Sequence, residues 1–125
     1  MAKIDRRMFT RYEVRMGAYV MTSKYSFGAE MIDISLVGVR LRALQAVNPG
    51  TRLSVRMDLP EKIIFHGKVV WVLGTITQEL HHYVIGIETD AMEISNTKAR
   101  GLSERTELLQ EILYSIKEQA VGAIF

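Results

Sequence analysis

Cysteine is absent from the 125 residues, so the chain can form no disulfide, no thiolate nucleophile and no cysteine-based zinc site. Long apolar runs are missing as well. No stretch approaches the roughly 18 uninterrupted apolar residues of a spanning helix, so no membrane insertion is expected. Residues 1–7 turn charged at once and lack the apolar run of a secretory signal. A cytoplasmic protein is therefore the expectation. Catalytic signatures are missing too. His66, His81 and His82 show no spacing typical of a metal site, and no acid falls at the helical interval that would complete one. His81 and His82 precede a strand and are expected to face solvent. There is no Gly-x-Ser-x-Gly elbow, phosphate loop or dinucleotide fingerprint. No enzyme, no metal and no cofactor are expected.

What is present is a composition of 48% hydrophobic and 24% charged residues, close to that of soluble globular proteins and too apolar for disorder. This length predicts a single domain over 1–125 that buries roughly two-thirds of its unfolded surface. The net charge of +2 hides an asymmetry. Through Met57 there are ten Lys+Arg against four acids, a balance of +6, and the remainder holds six against ten, or −4. Eight of the ten early cations are arginine, whose planar fork grips phosphate or guanine bidentately and stacks on flat rings. That bias points to an anionic, nucleotide-like partner, or more blandly to a solvated face.

The middle of the chain reads as strands. Leu53, Val55, Met57 and Leu59 alternate with Arg52, Ser54, Arg56 and Asp58, the period of a half-buried strand. Val14, Met16, Ala18 and Val20 form a similar row, as do Val37, Val39, Leu41 and Ala43. Residues 62–73 are β-branched and aromatic, and 83–88 supply a further short strand. With 25–34 there are six strands joined by short, turn-rich connections, which predicts an all-β fold: an antiparallel six-stranded barrel. The period then changes. Leu109, Ile112, Leu113, Ile116 and Ala120 recur at helical spacing, with Ser103 as cap and Gly122 as stop. The apolar stripe of this C-terminal α-helix must cover either the barrel or a second subunit, which would make a homodimer. The expected division is an arginine-rich mobile arm over 1–11, the barrel over 12–90, and a polar linker with the helix over 91–125.

Two constellations carry possible chemistry. Arg7 and Arg11 stand four apart on the leading arm, and two guanidinium forks can clamp an anion or sandwich a purine ring. The spacing alone is weak, because it recurs at Arg11/Arg15 and at Arg52/Arg56, the last on the solvent face of a strand. The second constellation is Asp33-Ile34-Ser35-Leu36-Val37-Gly38 between two strands. As a plain turn, Asp and Ser would cap local donors and Gly would accept a positive φ. As a site, Asp33 would take the N1–H and N2–H donors of a guanine. Ser35 would add a hydroxyl and Gly38 would admit close backbone approach.

In this order, Arg7-x-x-x-Arg11 followed by Asp33-x-Ser35-x-x-Gly38 resembles the PilZ domain, a bacterial receptor module for cyclic di-GMP. Val39-Arg40-Leu41, Asn48-Pro49-Gly50-Thr51, residues 67–72 and residues 83–88 look like later parts of that family. The resemblance covers about residues 6–90, and a C-terminal helix is usual. One position departs: Thr89 stands where the family commonly has an aromatic, a matter of packing rather than ligand. The resemblance implies a PilZ-type barrel that binds cyclic di-GMP through Arg7, Arg11, Asp33, Ser35 and Gly38, with Arg40 a secondary candidate. Arg6 adds a further cation. In the family a cation there accompanies binding of a self-intercalated pair of ligands. The arm would fold over the ligand and present a new surface to an effector protein in motility or biofilm regulation. Two other readings stand beside it. One is a PilZ-like scaffold that binds no nucleotide. The other is a small barrel for single-stranded nucleic acid, which the scattered aromatics disfavour.

Overall fold

The computed structural model describes residues 9–59, 61–76 and 81–124. Seven strands and one helix follow in order: β1 (Tyr12–Met21), β2 (Ser26–Ile34), β3 (Gly38–Ala43), β4 (Arg52–Asp58), β5 (Lys62–Ile76), β6 (His81–Ile94), β7 (Thr97–Ala99) and α1 (Leu102–Ile124). The sheet runs β3-β2-β1-β4-β5-β6-β7, and an additional β3–β6 pairing joins its ends. Six antiparallel strands thus close on themselves, while β7 continues along β6 beyond the stretch that β3 occupies. Closure removes the exposed edges that an open sheet would leave.

Alternation explains the interior. On β4, Leu53, Val55 and Met57 are buried while Arg52, Ser54 and Arg56 point away, as their period of two requires. Each barrel strand contributes at least one fully buried side chain, among them Val20, Met31, Leu41, Val55, Phe65 and Ile85. Such a core stabilises by roughly 25 cal/mol per Å² of apolar surface removed from water.

The chain after residue 90 departs from the expected linker. β6 runs on to Ile94, and a two-residue turn at Ser95 and Asn96, with φ of 49° and 71°, folds β7 back against it. Two positive φ values in succession match the twist of a tight hairpin. The helix start also differs. The Arg105 N–H donates to the Gly101 carbonyl at 2.9 Å, so Gly101 precedes the first turn and Ser103 lies within it rather than capping it. Gly122 falls inside α1 and does not end it. Leu108, Leu109, Ile112 and Ile116 join the main core, so the apolar stripe covers its own barrel against β6 and β7. Among the described residues no helix is long and apolar enough to cross a membrane.

Candidate ligand-binding site

Two irregularities in the strands build this region. On β2, Met31 pairs with Leu41 and Asp33 with Arg40, so Ile32 is an extra residue with no partner of its own. A bulge of this kind resets the alternation. Glu30 and Asp33, three apart, would otherwise face opposite sides of the sheet; the bulge puts both on the outer wall, opposite Arg42 and Arg40. The facing strand β1 shifts register between Glu13 and Met16. Arg15 lies inside that shift with a φ of 46°, a left-handed backbone that non-glycine residues rarely adopt.

Asp33 is the centre. It is only 4% exposed, and both of its oxygens are engaged. Oδ1 accepts from Arg11 Nη1 at 2.9 Å, and Oδ2 accepts from Arg40 Nε at 2.7 Å and from Arg40 Nη2. The bond to Asp33 raises the Arg40 pKa above its ordinary value, against the smaller opposing effect of burial. Two guanidinium groups hold this carboxylate in a fixed orientation. Arg11 and Arg40 keep more than a third of their side-chain surface in water, so either can exchange its bond for another partner.

The rest of the motif follows the plain-turn reading at Ser35 and departs from it at Gly38. Ser35 is fully buried. Its hydroxyl donates to the Gly38 carbonyl at 3.2 Å and accepts from the Val37 N–H at 3.3 Å. Ser35 therefore shapes the turn and does not offer its hydroxyl outward. Gly38 has no positive φ. A Cβ there would stand 2.8 Å from the Ile87 carbonyl oxygen of β6, so its requirement is the close approach of two strands at the barrel seam. Arg6 and Arg7 lie outside the described residues.

Sequence reasoning missed Arg105. This α1 residue is 7% exposed, and its Nη1 donates to the carbonyls of Thr89 at 2.9 Å and Leu36 at 3.3 Å. Leu36 belongs to the motif turn, so one guanidinium ties that turn, the end of the barrel and the helix together. Burial lowers the Arg105 pKa, and the Asp90 charge opposes this. A signal was available: residues 105, 109, 112 and 116 share one helical face, which places Arg105 on the apolar stripe. Thr89 is buried too, consistent with packing as the role of that position. The histidines lie apart. His66 sits between the Ser54 hydroxyl, 2.8 Å from its Nδ1, and the Glu93 carboxylate. His82 is half-buried rather than solvent-facing.

The family model for the PilZ domain matches residues 5–104. The chain belongs to the PilZ domain family. No curated protein sequence matches it. Two solved structures share the fold. MrkH of K. pneumonia in its apo state aligns with a TM-score of 0.61 at 17% identity, covering 97% of this chain and 55% of that one. The Bacillus subtilis inhibitor of motility (MotI/DgrA) aligns at 0.55 and 16% identity, covering 94% and 52%. This PilZ chain thus spans about half the length of each. Beside its motif turn lies a cavity of about 240 Å³, where Phe9 and Tyr12 of the leading segment and Leu36 of the turn face Leu109 and Leu113 of α1.

Proposed function

We propose that this PilZ domain is a receptor for cyclic di-GMP that acts as an adaptor, without catalysis, on an effector protein in the cytoplasm. The observation that carries the reading is the convergence of Arg11 and Arg40 on buried Asp33, within the turn that bears the family motif. Guanine presents N1–H and N2–H donors on one edge and O6 and N7 acceptors on another. Asp33 suits the first edge, and a guanidinium released from it suits the second or a phosphate. Ligand would thus replace an existing ion pair rather than enter a vacant site. Arg6 and Arg7 on the arm are assigned to the remaining phosphate and base contacts, with Ser35 and Gly38 holding the turn in shape.

The arm is the moving part in this reading. Phe9 and Tyr12 follow Arg7 and border the cavity against α1, so closure of the arm over the ligand would alter the surface that α1 presents. Motility or biofilm control is the output class we assign, in keeping with the motility-inhibitor name of the Bacillus subtilis neighbour.

Isothermal titration with cyclic di-GMP, cyclic di-AMP and a short oligonucleotide tests the reading. Cyclic di-GMP alone should bind at micromolar concentration or tighter, and Arg7→Ala and Asp33→Ala should each abolish or greatly weaken it. A wild-type chain that ignores cyclic di-GMP would sink the receptor reading in favour of a scaffold. Two ligands per chain would support the Arg6-dependent pair; one would retire it.

A further inference from the structure

The Asp33 arrangement is repeated one step along the same wall. Glu30 of β2 lies between an arginine of β1 and an arginine of β3, as Asp33 lies between Arg11 and Arg40. Glu30 Oε1 accepts from Arg42 Nη1 at 3.1 Å and stands 3.8 Å from Arg15 Nη1. Arg15 also donates through Nε to Glu13 at 3.0 Å. Beyond Glu30 and Arg42 opens a groove of about 640 Å³, bordered by Gly28, Ala29, Ala43, Leu44 and His82.

We propose that Arg15, Glu30 and Arg42, with this groove, form a second guanine-reading subsite. The proposal deepens the receptor reading above and rests on it for the identity of the ligand. Four observations converge. The donor and acceptor set is the one that reads guanine at Asp33: a carboxylate for N1–H and N2–H, guanidinium groups for O6 and N7. Adenine presents an acceptor at N1 and a donor at N6, so the same set rejects it. Unlike Asp33, this carboxylate is half-exposed, and among the described residues no partner engages its second oxygen. The Arg42 Nε is buried and unpartnered, although buried donors are normally satisfied. Finally, Arg15 holds its left-handed backbone at the bulge facing β2, and strain of this kind collects at functional positions.

The groove suits a flat base. Its volume falls in the range of small-ligand sites. Its floor is small-residue backbone: a Cβ at Gly28 would meet nothing within 4 Å. Leu44, largely exposed, gives it an apolar lip. The three-residue step from Asp33 to Glu30 spans roughly 10 Å along the strand, so either the second base of one cyclic dinucleotide or a separate guanine nucleotide could occupy it.

The test uses the full chain, isotopically labelled, with GMP and AMP as probes. GMP should move the backbone amide signals of Gly28, Glu30 and Ala43, and AMP should not. The shifts should persist in Asp33→Ala. They should vanish in the isosteric Glu30→Gln and in Gly28→Leu, which fills the groove without touching the Asp33 cluster. Unmoved signals with GMP, or equal movement with AMP, overturn the subsite whatever happens at Asp33. Titration with cyclic di-GMP then separates the two sources of guanine. A roughly tenfold affinity loss in Glu30→Gln at unchanged stoichiometry assigns the second base of the bound ligand. Loss of one ligand per chain assigns a separate nucleotide, and no change in either quantity overturns the proposal. If wild type ignores cyclic di-GMP while the GMP shifts remain, the receptor reading fails and the guanine subsite stands.

Discussion

The barrel carries the arginine–carboxylate pair in two settings. At Asp33 the carboxylate is buried under two guanidinium groups. At Asp90 a single arginine, Arg52, makes a 2.7 Å bond, but their side chains are 58% and 62% exposed. Distance does not separate the two; water does. An exposed pair exchanges hydration for a bond of similar value and contributes about 0–1 kcal/mol. A buried carboxylate has already lost its hydration, so its partners must replace it. The arginine spacing tells the same story. Arg52 and Arg56 repeat the interval of Arg7 and Arg11, yet they pair with exposed Asp90 and Asp58, whereas Arg11 meets buried Asp33.

The contrast can be broken most sharply from the arginine side. Replacing both Arg11 and Arg40 by alanine strands the buried Asp33 charge, and urea unfolding should show a loss of about 3–4 kcal/mol. Next comes Gly38→Ala, which drives a Cβ against the Ile87 backbone carbonyl. The barrel seam must shift, at about 1–3 kcal/mol in the same measurement. Asp33→Ala should be milder, about 1 kcal/mol or less, because the two freed guanidinium groups reach water. This variant nevertheless should show the greatest defect in cyclic di-GMP titration, separating stability from binding. Arg52→Ala should change stability by no more than about 0.5 kcal/mol. If Arg52→Ala matched the Arg11/Arg40 double variant, burial would not be the controlling variable.

These settings were unequally legible in the sequence. Alternation revealed β4 because its period is a local property, and helical spacing revealed the buried face of α1 for the same reason. The motif located Asp33 and its turn. The bulges at Ile32 and Arg15 left no such trace. They arise where the registers of β1, β2 and β3 are reconciled, and register is a relation between distant segments. Without them Glu30 could not share a face with Asp33, so the repeated arrangement was invisible. The hairpin at Ser95-Asn96 lacks the Asn-Gly or Asp-Gly signal of such turns, so β7 read as linker. The motif marks Gly38 for a positive φ or for close backbone approach to a ligand, whereas its structural need is the approach of Ile87, far along the chain. Arg105 carries no mark of burial in its residue type, because long charged side chains normally reach solvent.

Arg105 also has a thermodynamic consequence. Its bond to the Leu36 carbonyl makes the position of α1 and the shape of the motif turn parts of one equilibrium. Any coupling through that bond is reciprocal: the factor by which ligand changes the affinity of α1 for an effector equals the factor by which the effector changes ligand affinity. On the receptor reading proposed above, an effector gripping the helix would set the ligand concentration at which the domain responds. The same chain would then answer at different messenger levels according to the partner it holds.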